Sequence, residues 1–221
     1  MRTASLTILA LGIAGCASGT VSGTQQPTAA SVLASDHPLA NLANRDIIVL
    51  PIQYLRFADS LGWSRSAPKP AEYLSTVDDE IAFALRERGL GQQWVFAKEI
   101  SRLAANNSTI VADPHKLSAE ELRGQVKLEQ SLPTALQSQI RTILALREGR
   151  FVLLPIDLRF ESTNGTGVAF LRVVAIDARF AAIKWIGEVK SDRSRTFSPA
   201  LAASVASRFA DLVAPIPPAN P

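Results

Sequence analysis

Few residues in this chain of 221 amino acids are equipped to do chemistry. Cys16 is the single cysteine, so it has no disulfide partner and offers a lone nucleophilic thiol. The two histidines are His37 and His115. Asp113-Pro114-His115 could bring a carboxylate and an imidazole to one metal ion, but two ligands in a turn rarely make a site without further donors. A solvent-exposed loop accounts for both residues. Asp78, Asp79 and Glu80 form an acidic cluster that a helix start explains, because carboxylates stabilise the positive end of the helix dipole. Asp157 and Asp177 lie in or at the end of strand-like runs, where a salt bridge or solvent suits the first and a turn the second. None of GxSxG, the P-loop, GxGxxG or HExxH is present. No cofactor and no metal site is expected. Trp63 in a loop-like stretch, and Arg193 with Arg195 ahead of the last helix, are the candidate partner contacts, since tryptophan and arginine dominate recognition energetics. A ring folded back onto the core and a solvated loop are the respective alternatives.

What positions Cys16 is the segment before it. Arg2 and the amino terminus precede an apolar run from Leu6 to Ala14, and Gly15 stands before the cysteine, which is the layout of an export signal. The run is too short to span a bilayer, which needs roughly 20 apolar residues. Ile13-Ala14-Gly15-Cys16 resembles the bacterial lipobox, in which cleavage falls between Gly15 and Cys16 and the cysteine is acylated. Acyl chains contribute about 0.8 kcal/mol per buried CH₂, so the two or three chains that this resemblance implies would anchor the protein durably. Ala17 after the cysteine resembles lipoproteins sent on to the outer membrane, so the expected address is the cell envelope, on the periplasmic face of that membrane.

Residues 1–15 therefore read as a signal peptide and 16–44 as a lipidated cysteine followed by a flexible tether. The tether is rich in Ser, Thr, Gly, Ala, Gln and Pro, too poor in large side chains to order itself. A coil of about 28 residues reaches on the order of 30 Å. Residues 45–213 hold one globular domain, and 214–221 form a proline-rich tail. The net charge of +3 falls to +2 without Arg2, which argues against a nucleic-acid partner.

Within the domain, 47–55 reads as one apolar strand, with Pro51 at an edge or bulge. Residues 57–73 read as a long irregular loop. Ser75 opens a helix that ends at Gly89 and buries Val77, Ile81, Ala84 and Leu85. A short strand covers 93–97 and a short helix 99–105. Ser118 to Glu121 has the spacing of a capping box, and Pro133 restarts that helix with Leu136, Ile140, Ile143 and Leu144 on one face. Three strands, 151–160, 168–177 and 181–189, form an antiparallel meander, the last with Ile183, Trp185 and Gly187 on one side. Ser198-Pro199 caps a final helix. Leu50-Pro51-Ile52 with Leu55-Arg56-Phe57 is echoed by Leu154-Pro155-Ile156 with Leu158-Arg159-Phe160, offset by one residue, as two strands in similar surroundings of one sheet would be. The fold class is α/β (α+β), a mixed sheet of about five strands with helices packed on it.

This order resembles periplasmic proteins related to the curli-export lipoprotein and to the amino-terminal domain of the Tol-system propeller protein. The comparable residues are Ile48-Val49-Leu50-Pro51, Phe151-Val152-Leu153-Leu154, and Val173 to Asp177 with Lys184-Trp185-Ile186-Gly187. The resemblance implies binding or assembly in the envelope, with a protein or envelope polymer as partner and the membrane held through Cys16. It does not extend to the curli exporter's pore, because no membrane-spanning hairpin is evident. The alternative is a hydrolase-like lipoprotein enzyme whose site is gathered from scattered polar residues.

Overall fold

Pro51 ends the first strand instead of decorating it. The computed structural model describes residues 36–217, and it divides the first apolar run into β1 (Ile47–Val49) and β2 (Tyr54–Phe57). Both lie parallel to the long strand β4 (Phe151–Thr163), on the same side of it. The short strand β3 (Trp94–Val95) pairs with the outer edge of β1. β5 (Thr166–Asp177) and β6 (Ala182–Lys190) complete the expected meander, each antiparallel to its predecessor. Among the described residues this makes one open, mixed sheet of six strands, ordered β3-β1-β4-β5-β6 with β2 beside β4.

The echo between the two leucine-proline segments has a structural cause. Val49 pairs with Leu153, and Leu55, Arg56 and Phe57 pair with Leu158, Arg159 and Phe160. The segments are neighbours in one sheet and meet the same layers above and below. The one-residue offset between them is the extra residue spent in the break from Val49 to Tyr54. A second extra residue, Ile156, bulges β4 against β5. A third, Lys184, does so in β6, and it puts Ile183 and Trp185 on opposite faces, not on the single side that alternation predicts.

Five α-helices occur among the described residues: α1 (Trp63–Ser66), α2 (Pro70–Glu87), α3 (Ala97–Asn106), α4 (Thr134–Leu146) and α5 (Pro199–Asp211). α2 and α5 pack together on one face, over Ile47, Val49, Leu153, Leu171 and Val173. α3, α4 and the 111–132 segment cover Ile48, Leu50, Val152, Leu154, Val174 and Ile176 on the other. Two apolar faces explain why β1 and the first half of β4 read as unbroken apolar runs. None of the described helices is long and apolar enough to cross a membrane.

Three expectations shift. α2 begins at Pro70, not Ser75, because a proline at the first helical position needs no amide partner. Ser118 to Glu121 opens no α-helix: Glu120–Arg123 is a single 3-10 turn closed by Gly124, and α4 starts after Pro133. The domain also begins earlier than residue 45, since Leu39 and Leu42 are buried against it and the Leu39 amide donates to the Leu212 carbonyl at 2.8 Å.

Candidate functional site

The helices cover only part of the sheet. Beyond Ile156, β4 changes from a continuous apolar run to alternation: Leu158 and Phe160 stay on the α2–α5 face, while Asp157, Arg159 and Glu161 turn to the other. There they meet Arg56 of β2, Phe170 and Arg172 of β5, and Glu188 and Lys190 of β6. Among the described residues no α-helix is seen to cover this patch, and the 3-10 turn reaches only its inner part, where Arg123 approaches Asp157 and the Gly124 carbonyl accepts from Arg172 at 2.5 Å. The patch is built as a charge ladder on a rigid sheet.

Asp157 is buried, and the Arg56 guanidinium grips it from the edge, Nε donating at 2.9 and 3.1 Å to its two oxygens. Arg123 stands 3.7 Å from the same carboxylate and lies over the Tyr54 ring at 4.8 Å. Arg159 donates to Glu161 at 2.6 Å and, two-pronged, to Glu188 at 2.5 and 3.0 Å. That hydrogen bond holds the Glu188 carboxyl below its ordinary range. Phe170 lies between two cations, the Arg159 guanidinium 4.6 Å from its centroid and the Lys190 ammonium 5.4 Å from it. Such stacked cations are attracted by the ring's quadrupole.

Arg193 and Arg195 continue this patch beyond the end of β6. Ser194 between them is clamped to Gly167 by two main-chain hydrogen bonds of 2.7 and 2.9 Å, which fixes the segment against the start of β5. Both arginines are exposed and, like Lys190, make no ion pair among the described residues. The patch carries more free positive than negative charge.

Trp63 is elsewhere. The loop expected at 57–73 folds back, and the indole is only 6% exposed, in a cluster with Phe160 and Phe197 at 5.8 Å each, next to Phe57 and Tyr73. The benzo end of the indole occupies the space beside Gly167 that a side chain there would fill. The reading of Trp63 as a surface contact gives way to the core alternative, because the distal aromatic rings need a cover. Gly15 and Cys16 lie outside the described residues.

Residues that could serve an enzyme are held apart. Asp157 is paired as described. Asp177 is paired at the opposite end of the sheet with Arg150, whose Nη2 donates at 2.7 Å. Burial pushes the Asp177 carboxyl up, but Arg150 and the Arg179 amide outweigh it and hold it below the ordinary range. Asp78, read as a cap, sits instead in the middle of α2, buried, with Oδ1 accepting from the Ile52 amide at 3.1 Å. His115 is exposed, 2.8 Å from the Ser101 hydroxyl. Among the described residues no group of three or more His, Cys, Asp or Glu could hold a metal ion.

No protein-family model and no curated protein sequence matches the chain. Solved structures of similar outline include LpoB of Escherichia coli, 13% identical, covering 85% of this chain and 84% of that one, with a TM-score of 0.40. The PelC dodecamer from Paraburkholderia phytofirmans is 11% identical, covers 78% of this chain and 90% of that one, and gives 0.39. A lipoprotein from Neisseria meningitidis is 14% identical, covers 74% and 93%, and gives 0.33. None of the three is the curli-export or Tol propeller protein.

Proposed function

We propose that the protein is a lipid-anchored envelope protein that works as a binding or assembly module, held by its N-terminal end and presenting the far end of its sheet to a partner. The observation that carries this reading is the polarity of the domain. Pro38 and Leu39 line one cavity with Phe151 and Asp177, at the start of β4 and the end of β5. Arg193 and Arg195 flank Ser194, which is paired to Gly167 at the other end of the same hairpin. The exposed part of the ladder and the two free arginines are thus at the opposite end of the hairpin from the segment through which the N-terminal part joins the domain. The lipobox-like segment supplies the anchor, and the ion pairs that occupy Asp157 and Asp177 support binding over catalysis.

The partner is a protein or envelope polymer whose contacting surface is acidic, matched to Lys190, Arg193 and Arg195. Affinity purification of the full lipoprotein from its native membranes tests this, comparing the wild type with Cys16→Ser and with a combined Arg193→Ser, Arg195→Ser form. The expected result is a component recovered with the wild type in a salt-sensitive manner, reduced with Cys16→Ser and lost with the arginine pair. Recovery of the same components with all three forms would overturn the reading.

A further inference from the structure

The anchored end of the domain has its own chemistry. Phe180, at the turn between β5 and β6, is 60% exposed. Its turn is not loose. The Ala178 amide donates to the Arg150 carbonyl at 2.9 Å, the Arg179 amide to Asp177 Oδ1 at 3.1 Å, and the Leu132 amide to the Ala181 carbonyl at 2.9 Å. Ala181 itself holds a φ of +50°, a conformation that a side chain resists and that the surrounding hydrogen bonds impose. The fold thus holds the backbone that carries this exposed ring in one conformation.

Arginines surround it. The Arg179 guanidinium is 5.5 Å from the Phe180 ring and that of Arg150 is 6.0 Å from it. Arg150 also lies 4.9 Å from the Phe151 ring, and Arg45 covers the same ring at 5.8 Å. Arg45 and Arg179 make no ion pair among the described residues. Of the other two cations here, Arg150 pairs with Asp177 and Lys184 with Glu129. Asp46 and Glu148 line a separate depression beside Arg147, and Asp36 is exposed two residues before Pro38. A cavity of about 410 Å³ opens between Phe151, Phe180 and Trp185.

The chain enters at this same place, since Pro38, Leu39 and Leu42 form one wall of the cavity. Only 19 residues separate Cys16 from Asp36. A chain of that length spans at most about 70 Å. It holds the domain near the bilayer at an effective concentration in the millimolar range, enough for a weak surface contact to be occupied. An exposed aromatic ring ringed by guanidinium groups is the composition that settles at a membrane interface, the ring at headgroup depth and the cations against phosphates.

We infer that this end of the domain rests on an anionic bilayer surface, with Phe180 in the headgroup region and Arg45, Arg150 and Arg179 facing lipid phosphates. The inference rests on the reading of Cys16 as an acylated anchor, and one experiment separates the two. A photo-reactive phenylalanine analogue replaces Phe180 in the full chain, expressed and processed in its native membrane. A second form carries it at Phe83, an equally exposed ring on α2. After irradiation, mass spectrometry reads phospholipid adducts at each position and, on the mature N-terminal peptide, the acylation of Cys16. The expected result is lipid adducts at 180 and not at 83, falling about fivefold for each of Arg45→Ser and Arg179→Ser. Acylated Cys16 with no lipid adduct at 180, or with equal adducts at 180 and 83, overturns the surface contact and leaves the anchor standing. Unmodified Cys16 overturns the anchor; with no adduct at 180 it overturns the contact too, whereas an adduct at 180 would uphold the contact alone.

Discussion

Asp78, in the middle of α2, accepts a hydrogen bond from the main-chain amide of Ile52 at 3.1 Å, tying the helix to the break between β1 and β2. Its second oxygen is buried with no hydrogen-bond partner. Burial pushes this carboxyl up to about 8 from an ordinary 3.8. The folded protein therefore keeps a proton there that the unfolded chain releases. Below about pH 4 both states hold it, and the contribution is fully present. As pH rises toward 8, stability falls by up to about 1.4 kcal/mol per pH unit. Asp78→Asn keeps an oxygen for Ile52 and has nothing to ionise. Urea midpoints between pH 5 and pH 8 should decline in the wild type and stay nearly level in the variant. Parallel pH profiles would refute the assignment.

Gly167 and Trp63 make a second fixed contact, because any Cβ at 167 would collide with the indole. Gly167→Ala should destabilise by about 1–3 kcal/mol through overpacking. Near-ultraviolet circular dichroism should change with it, reporting displacement of the ring. An alanine at 167 that left both the unfolding midpoint and the aromatic signal unchanged would show that the tryptophan is not seated there.

The Arg56–Asp157 pair is lopsided, with the arginine side chain 50% exposed and the aspartate 2%. Arg56→Ala strands a buried carboxylate with only the more distant Arg123 to answer it, and should cost about 1–3 kcal/mol. Asp157→Asn frees an arginine that can turn to water, and should cost less. Chemical denaturation of the two variants decides the order. The reverse ranking would mean that Arg56 contributes mainly through its own packing.

Gln53 is buried and fully used. Its amide nitrogen donates to the carbonyls of Pro51 at 2.6 Å and Pro114 at 2.9 Å, while its oxygen accepts from the Leu117 amide at 2.8 Å. Gln53→Ala should accelerate hydrogen exchange at Leu117 selectively, with about 1–3 kcal/mol lost overall. Unaltered protection of that amide would remove Gln53 as the link between the strand break and the 113–117 segment.

The parts of this fold legible in the sequence are those decided locally. The β4-β5-β6 meander follows from alternation and short turns, α5 from Ser198-Pro199 and its spacing, and the buried faces of α2 and α4 from period alone. The parts that were hidden depend on partners far along the chain. Nothing within five residues of Asp78 says that it will meet Ile52, and helix-dipole logic gave an adequate local account of it. Leu39 and Leu42 sit in a polar composition that hides their packing until α5 is in place. Trp63 reads as exposed until Phe160 and Phe197 are known to lie beneath it. One further signal is local: β4 passes from Val152-Leu153-Leu154 to alternating Asp157, Arg159 and Glu161, and that change of period marks where α-helix cover stops. Arg193 and Arg195 were legible as exposed, whereas Phe180 and its arginines, in a turn of ordinary composition, gave no local hint.

The hairpin of β4 and β5 has a mechanical meaning as well. Strands of 13 and 12 residues, stitched along their whole length, make a strut about 40 Å long. The turn that carries Phe180 and the turn that carries Gly165 are held that far apart by covalent geometry and hydrogen bonding, with no flexible joint between them.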